Sequence, residues 1–358
     1  MFSEKLLKQH TNVKLFKQRY NFILSLLADK FSLLRINSLM NFSQFKNLFE
    51  KKEVSEYPNK IQQSPLVSIC IQTYNQASFI EKSLDAILCQ KTHFKYELLL
   101  GDDDSSDGTR EICIAYAEKY PEKIRLFLHH RENNINIASK PTGIFNSLYN
   151  LFSSRGKFIA YCDGDDVWTD EYKLQKQVNY LLANSKTSFT YHEVKLIDEN
   201  GQYIPKKKDI EISERDFTSA ELEHALIQPP ISTWCFRNLI KNIPLEFTKT
   251  FNGDNFWVSL LGNYGDGKYL SDIKPSLYRI HSRAMWSTIE KPIQLKSKFN
   301  TYRYLSKYYK RKKNKELAIY FHSRSNNYAK MVLNYYIERR RITELLKFLS
   351  FYLKTLWL

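Results

Sequence analysis

The sequence is poor in cysteine and lacks a long apolar run, and each shortage excludes a class of protein. Its five cysteines are isolated within 358 residues, which argues against a disulfide framework and for a reducing compartment. The apolar run from Asn21 to Ala28 is far shorter than the roughly 20 residues that a membrane-spanning helix needs. Charged and polar side chains interrupt residues 1–15, so we expect no secretory signal. These absences predict a cytoplasmic protein.

The sequence also lacks a nucleic-acid-binding motif, although it is strongly basic. The formal net charge is +16, and residues 291–358 alone hold 17 Lys and Arg against 3 Glu. Anionic lipid head groups fit this charge, since each nearby cation contributes on the order of 1 kcal/mol to binding. We therefore expect an anionic membrane surface as a partner, no nucleic acid, and a peripheral location on the inner face of the cell membrane.

The last twenty residues predict an amphipathic helix. Arg340, Lys347 and Lys354 recur every seven residues and share one helical stripe, while leucine and aromatic residues cover much of the remaining surface. This pattern is typical of a helix that lies in a membrane interface. The alternative is a helix packed on the rest of the protein or on a second subunit.

Three short apolar runs, each followed by polar residues, predict buried strands in the middle of the chain. They are Leu66–Ile71 before Thr73-Tyr74-Asn75, Tyr96–Leu100 before Asp102-Asp103, and Lys157–Cys162 before Asp163-Gly164-Asp165-Asp166. Apolar residues at helical spacing follow each polar turn: Ile80, Leu84, Ile87 and Leu88 after the first, Ile112, Ala115 and Tyr116 after the second, and Leu174, Val178, Leu181 and Leu182 after the third. Strand, turn and helix repeated in this way predict an α/β fold with an open, mostly parallel, Rossmann-like sheet. The three polar turns then share one crevice beyond the carboxyl ends of the strands.

The carboxylate triplet after the third strand indicates a metal site. Carboxylates crowded at one sheet edge repel one another unless a cation lies between them, and Mg²⁺ or Mn²⁺ takes oxygen ligands from one or two carboxylates and from substrate phosphates. The triplet Asp163, Asp165 and Asp166 therefore predicts a bound cation, and a solvated acidic turn is the alternative. The second cluster matches part of a calcium-binding EF-hand loop, but Ile114 stands where that loop needs Glu.

In this order, the three polar turns resemble the motifs of glycosyltransferase family 2, the inverting nucleotide-sugar enzymes with a GT-A fold. The resemblance covers about residues 65–285. Gln72 stands where the family often has Pro, and Asp104 where it often has Gly or Cys, but neither change removes a reacting group. The Gln-x-x-Arg-Trp motif of processive members is absent, which favours transfer of one sugar at a time.

The resemblance implies roles for particular residues. It places the nucleotide on Thr73, Tyr74, Asn75, Asp102 and Asp103, and it makes Asp163-x-Asp165 the motif that binds Mn²⁺ or Mg²⁺ beside the diphosphate. The segment Ser276–His281 resembles the family's closing segment, in which Arg279 and His281 can donate to phosphate oxygens. Asp163 is therefore expected to contact both metal and nucleotide sugar.

The resemblance also names a general base. An acidic residue just before a Trp-containing helix has this role in the family, and here that residue is Asp254. Inversion needs a base across the pocket from the metal, to take the proton of the attacking hydroxyl. The alternative role for Asp254 is a helix N-cap.

These observations predict four regions and one function. The regions are a helical N-terminal extension (residues 1–50), a linker (51–65), a GT-A catalytic domain (66–290) and a basic helical region (291–358). The predicted function is transfer of a sugar from a nucleoside-diphosphate sugar, most simply a UDP-sugar, to a glycan or lipid-linked acceptor in surface polysaccharide or lipopolysaccharide assembly. The alternatives are a catalytically silent membrane-bound module and a nucleotidyltransferase, although no Gly-rich phosphate loop follows the first strand.

Overall fold

The computed structural model describes residues 39–61, 64–137, 140–205, 213–251, 253–282 and 289–356. The chain divides into two units, residues 1–40 and 41–358, and every described helix and strand except β1 belongs to the second. Most of the predicted N-terminal helical extension lies outside the described residues. Its described part contains the two-residue strand β1 and the first helix, α1.

The described elements alternate between strands and helices. The helices are α1 (Phe42–Phe49), α2 (Ile80–Leu88), α3 (Thr109–Lys119), α4 (Ile144–Ser153), α5 (Lys173–Ala183), α6 (Ser219–Glu223), α7 (Asp254–Gly262), α8 (Lys291–Arg311), α9 (Lys315–Glu338) and α10 (Ile342–Leu356). The strands are β1 (Leu39–Met40), β2 (Ser55–Glu56), β3 (Val67–Thr73), β4 (Tyr96–Asp102), β5 (Ile124–Leu128), β6 (Asn136–Ile137), β7 (Lys140–Pro141), β8 (Phe158–Tyr161), β9 (Thr187–Tyr191), β10 (Val194–Ile197), β11 (Cys235–Arg237), β12 (Ile243–Pro244), β13 (Asp266–Tyr269) and β14 (Ser276–Arg279).

An eight-stranded sheet forms the centre of the fold. Its strand order is β13-β9-β11-β8-β3-β4-β5-β2, with β8, β3, β4 and β5 parallel to one another. Strand β11 runs antiparallel to both of its neighbours. Side chains on both faces of β3 and β4 are buried, as expected where helices cover a parallel sheet on both sides. The α/β class and GT-A architecture predicted from the sequence are confirmed.

The parallel register brings the polar turns together. Thr73, the last residue of β3, pairs with Asp102, the last residue of β4. Strand β8 lies on the other side of β3 and ends at Tyr161, two residues before Asp163. The three polar turns therefore lie side by side at one edge of the sheet. The predicted linker is partly structured, because β2 pairs antiparallel with β5 at the edge of the sheet.

The C-terminal helices pack on one another and on α7. Tyr302 and Tyr309 of α8 stack on Phe321 of α9, and the Tyr309 hydroxyl lies 2.8 Å from the Ser259 hydroxyl of α7. Among the described residues, no helix is both long and apolar enough to cross a bilayer.

Helix α10 has one packed face and one exposed apolar face. Phe348 is buried against Phe299, whereas Ile342 and Leu346 are 66% and 59% exposed. The predicted stripe of basic residues is wrong at its first position. Arg340 lies in the turn before the helix with a positive φ of 52°, because α10 begins only at Ile342.

Candidate active site

The acidic turn after β8 forms the centre of the site. Burial and, after it, the negative charges of Asp165 and Asp254 together raise the pKa of Asp163 to about 8. Asp166 is buried, and burial together with the two neighbouring carboxylates raises its pKa well above the usual range. Among the residues that the structure describes, none forms a hydrogen bond with its Oδ2 atom. This concentration of poorly solvated negative charge favours a bound cation.

Strand β14 closes over the acidic turn. Val167 and Leu277 exchange two backbone hydrogen bonds of 3.0 and 2.8 Å. The backbone N–H of Arg279 donates to Asp166 Oδ1 at 3.1 Å, and its Nε donates to the Asp165 carbonyl at 3.0 Å. Its Nη1 donates to the Asp198 carbonyl at 3.0 Å. The guanidinium therefore braces the acidic turn, and these donors would have to be released before they could bind a phosphate.

His281 lies directly on the predicted metal motif. Its Nε2 atom is 3.0 Å from Asp165 Oδ2, and both side chains are largely buried. The ring also contacts Phe79, which precedes α2, with centroids 4.8 Å apart. The sequence prediction that His281 belongs to the site agrees with this position.

Asp254 is the first residue of α7, and its alternative role as N-cap is wrong. Gly253 is the N-cap, and no side chain caps the helix. The Asp254 carboxylate instead accepts a hydrogen bond from Gln228 Nε2 at 3.2 Å. Burial raises its pKa, while Gln228 and the charge of Lys298 oppose the shift. The carboxyl group is therefore directed into the site and is a stronger base than an exposed aspartate.

Other late carboxylates that could replace Asp254 as the base are engaged elsewhere. Glu246 forms an ion pair of 2.9 Å with Arg311 of α8. Asp266 accepts the backbone N–H of Ser219 at 2.7 Å. Neither contributes to the pKa shift of Asp163, whereas Asp254 does.

The turn after β3 is held by the turn after β4. Asn75 has a left-handed backbone, with a φ of 50°, and its N–H donates to the Ser105 hydroxyl at 2.9 Å. The Ser106 N–H donates in turn to Asn75 Oδ1 at 2.9 Å. Thr73 is buried and donates its hydroxyl to Gln76 Oε1 at 2.8 Å. Tyr74 is 42% exposed, so its ring offers a face to a ligand.

The two aspartates predicted to hold the base have different surroundings. Asp102 is fully buried and accepts Arg110 Nε at 2.6 Å, which makes it a structural anchor of the turn. Asp103 pairs with Arg131 at 2.5 Å and accepts Asn134 Nδ2 at 3.0 Å. Burial raises its pKa to about 6 despite these two partners. Of these two aspartates, Asp103 is the one linked to the Tyr74 ring, because Arg131 pairs with Asp103 and also lies over that ring.

Arg131 is a site residue that the sequence did not reveal. Its guanidinium lies 3.8 Å from the centroid of the Tyr74 ring and pairs with Asp103. It therefore contacts two of the residues that are predicted to bind the nucleotide. Gln228 and Tyr278 were also missed as site residues. Burial raises the pKa of the Tyr278 phenol, and four carboxylates add to the shift: Asp166, Asp165, Asp163 and Asp254. For Tyr278, the only sequence pattern that could have indicated a site residue is the alternation of side chains along β14 beside Arg279. Gln228 lies in an irregular segment, where no such pattern exists.

The described side chains could hold a divalent cation only if a bound ligand supplied further oxygen atoms. Within the described part of the chain, no three His, Cys, Asp or Glu side chains converge as a complete metal site. Asp163 and Asp165 can supply two oxygen ligands, and the raised pKa of Asp163 shows how poorly its negative charge is compensated. Mg²⁺ and Mn²⁺ are commonly held by one or two carboxylates together with substrate phosphates. The donor set suits a cation that binds together with a diphosphate.

A mostly parallel sheet with an acidic centre at the carboxyl ends of its strands is the arrangement that the resemblance to glycosyltransferase family 2 implies. Residues 68–243 match the family model described as Glycosyl transferase family 2. This match covers just under half of the chain, and it confirms the resemblance noted in the sequence.

Three relatives each match part of this chain. The uncharacterized protein Rv1520 of Mycobacterium tuberculosis is 38% identical over 135 residues, covering 38% of this chain and 37% of Rv1520. The putative teichuronic acid biosynthesis glycosyltransferase TuaG of Bacillus subtilis is 30% identical over 142 residues, covering 40% of this chain and 52% of TuaG. The UDP-Glc:alpha-D-GlcNAc-diphosphoundecaprenol beta-1,3-glucosyltransferase WfgD of Escherichia coli is 33% identical over 146 residues, with coverages of 40% and 52%. This chain thus spans between 37% and 52% of the length of these relatives.

Proposed function

We propose that this protein is an inverting, metal-dependent, non-processive glycosyltransferase that moves a sugar from a UDP-sugar to a lipid-linked or glycan acceptor in surface polysaccharide assembly. WfgD, a UDP-Glc:alpha-D-GlcNAc-diphosphoundecaprenol glucosyltransferase, supports this donor and this acceptor class. TuaG, a putative glycosyltransferase of teichuronic acid biosynthesis, supports a role in surface polysaccharide assembly. The observation that carries the proposal is that the buried carboxylate of Asp254, at the start of α7, lies close enough to the acidic turn for its charge to raise the pKa of Asp163. A base and a metal-binding pair thereby face the same space.

The residues divide the reaction between them. Asp103 and the exposed Tyr74 ring lie on the nucleotide side, where a carboxylate can accept an N–H of the base and the ring can stack on it. Asp163 and Asp165 would hold a divalent cation, Mn²⁺ or Mg²⁺, which when bound offsets the charge on the departing nucleoside diphosphate. His281 keeps Asp165 oriented through its 3.0 Å contact.

Asp254 performs the proton transfer in this proposal. It takes the proton from the acceptor hydroxyl as that oxygen attacks the anomeric carbon, and the bond from this carbon to the diphosphate oxygen breaks on the opposite face. The raised pKa of Asp254 makes its carboxylate a better proton acceptor at neutral pH, since general bases work best when their pKa approaches the working pH. Gln228 keeps one carboxylate oxygen in place.

We also propose that the basic C-terminal region binds an anionic membrane surface. The net charge of residues 291–358 and the exposed Ile342 and Leu346 of α10 support this proposal. The opposite face of α10 packs on α8 through Phe348, so membrane binding and internal packing use different sides of one helix. A lipid-linked acceptor would then be presented at the surface where the enzyme binds.

A donor panel tests the function. UDP-glucose and other nucleotide sugars are incubated with the full-length protein and Mn²⁺, and release of the nucleoside diphosphate is followed with and without a diphospholipid acceptor. We expect acceptor-stimulated release with at least one UDP-sugar and none after chelation of the metal. If the folded protein does not release a nucleoside diphosphate from any donor in the panel, the alternative of a catalytically silent module is favoured.

A further inference from the structure

A second site with basic lining lies at the opposite edge of the central sheet. A pocket of about 340 Å³ opens at the amino ends of β3 and β8, far along these strands from the acidic centre at their carboxyl ends. Its lining consists of Ser64, Pro65, Arg155, Gly156, Lys157, Arg237, Asn238, Leu239 and Lys241. Four of these residues are cationic and none is acidic. The volume lies within the range of about 300 to 1,000 Å³ that is usual for small-molecule sites.

The backbone that carries the cations is fixed from beneath. The Arg155 N–H donates to Glu97 Oε1 at 2.9 Å, and the Gly156 N–H donates to the Ser68 hydroxyl at 2.8 Å. Glu97 is fully buried and pairs with Arg125 at 3.4 Å. A Cβ atom on Gly156 would lie 2.4 Å from the Ser68 nitrogen, so only glycine permits this approach. The turn is therefore preformed.

The second wall of the pocket is fixed to the same turn. The Asn238 N–H donates to the Lys157 carbonyl at 2.9 Å, and its side-chain amide donates to the Gly156 carbonyl at 2.8 Å. Arg237 donates through Nε to the Thr187 carbonyl at 2.8 Å and through Nη2 to the carbonyls of Leu181 and Asn184. Its positive charge is thus held in place by carbonyl groups, without a carboxylate partner in the described part of the chain.

The remaining three cations are available to a ligand. Arg155, Lys157 and Lys241 form no ion pair within 4 Å with any carboxylate of the described residues. The pKa of Glu56 is lowered overall, because burial acts to raise it but hydrogen bonding and the charge of Arg125 act against burial. The charge of Arg155 makes a smaller contribution that also lowers this pKa. Partial burial lowers the pKa of Lys241, and no acidic neighbour opposes this shift. Clustered, uncompensated cations in a rigid concave wall attract an anion.

We propose that this pocket, lined by Arg155, Lys157 and Lys241, binds the phosphate group of a ligand distinct from the sugar donor. Planar guanidinium and ammonium groups together suit the several oxygens of a phosphate. The pocket contains no carboxylate, thiol or histidine that could do chemistry, so it is a binding site only. The phosphate can belong to a free phosphorylated small molecule or to a lipid head group, and this proposal does not depend on the proposed glycosyl transfer.

The test uses the full-length protein in chelator-containing buffer, where the acidic centre has no metal with which to bind phosphate. Pyrophosphate is titrated calorimetrically into the wild type, into the double variant Lys157→Gln and Lys241→Gln, and into the matched control Lys330→Gln. Both pocket lysines are exposed, so the double variant should unfold at the wild-type temperature. We expect saturable binding that the double variant weakens by at least about tenfold and the control leaves unchanged.

A second arm separates the two sources of phosphate. Calorimetric titration of a short-chain, monomeric phosphatidylglycerol is compared for the same proteins, because vesicles could also bind through residues 291–358. Lipid binding that the double variant loses identifies a lipid head group, whereas saturable pyrophosphate binding without lipid binding by the wild type identifies a free ligand. Equal pyrophosphate affinity of the wild type and the double variant, or no saturable binding by the wild type, overturns the proposal.

Discussion

At the scale of single residues, the environment gives different properties to chemically identical carboxylates. Asp102 is an anchor paired with Arg110, and Asp103 is a buried acceptor with a pKa near 6. Asp163 faces other negative charges, and burial raises its pKa to about 8. The sequence places all of these carboxylates at one sheet edge through strand and turn patterns. It could not separate Asp102 from Asp103, because the difference depends on Arg110 and Arg131, which later segments contribute.

The first prediction concerns the proposed base. Asp254→Asn keeps the size of the side chain and can still bond Gln228, but it cannot take a proton. We expect turnover to fall by about 10²- to 10⁴-fold while donor affinity is retained. Initial rates and donor affinity are measured in the same preparation, with Asp266→Asn as the control. Near-normal turnover of Asp254→Asn would show that another group is the base.

The second prediction concerns the pH dependence of nucleotide binding through Asp103. Its carboxyl group has a pKa of about 6 in the folded protein, above its usual value of 3.8, so it becomes protonated as the pH falls through about 6. The protonated group no longer attracts Arg131 and is a weaker acceptor for a base N–H. We expect affinity for UDP to fall between pH 7 and pH 5.

Asp103→Asn supplies the control for that titration. The amide cannot ionise, so its affinity for UDP should be lower at pH 7 and nearly constant down to pH 5. Affinities are measured by calorimetry at fixed metal concentration. A pH dependence that is the same in both proteins would assign the titration to another group.

At the scale of elements, the sequence predicted helix positions better than helix faces. Helix α2 buries Ile80, Leu84 and Ile87, as its spacing predicts. In α3, however, the buried residues include Cys113 and Ala117, whereas the predicted Ala115 is exposed. Leu182 was predicted in the buried face of α5 and is 51% exposed. Local spacing fixes the type of element, but the neighbours that cover each face come from distant segments.

The contact between β5 and α4 yields a third prediction. His129 follows β5 and lies edge-on to Phe145 and Tyr149 of α4, and neither ring nitrogen has a hydrogen-bond partner. Burial, and then the charge of Arg110, lower its pKa from 6.5 to about 3. The unfolded chain therefore binds a proton on this side chain below pH 6.5 that the folded chain does not. The resulting loss of stability grows as the pH falls from 6.5 toward 3.

His129→Phe should remove this loss. We expect the wild type to lose about 2 kcal/mol more unfolding free energy than the variant between pH 7 and pH 5, since each pH unit below 6.5 contributes about 1.4 kcal/mol. Urea denaturation at the two pH values gives the comparison. His192 is buried as well and remains in both proteins, so its contribution cancels. Parallel curves for the two proteins would contradict the role of His129.

At the scale of the whole molecule, the two ends of the central sheet have opposite charge. Asp163 and Asp165 lie beyond the carboxyl ends of the strands, whereas Lys157 and Lys241 line the pocket at the amino ends. The sequence could predict the acidic end from adjacent motifs. It could not predict the basic pocket, because Lys241 reaches Lys157 only through the antiparallel placement of β11 beside β8.

The final prediction separates membrane binding from packing in α10. Leu346 is 59% exposed and Phe348 is 3% exposed on the same helix, so the two positions test different surfaces. Leu346→Glu should reduce sedimentation with phosphatidylglycerol vesicles and leave the unfolding temperature unchanged, because it adds negative charge to a face that buries little. Phe348→Ala should cost about 3 to 5 kcal/mol of stability through the cavity left against Phe299. If Leu346→Glu binds vesicles as the wild type does, the exposed face of α10 does not contact the membrane, and the net charge of the C-terminal region has another partner.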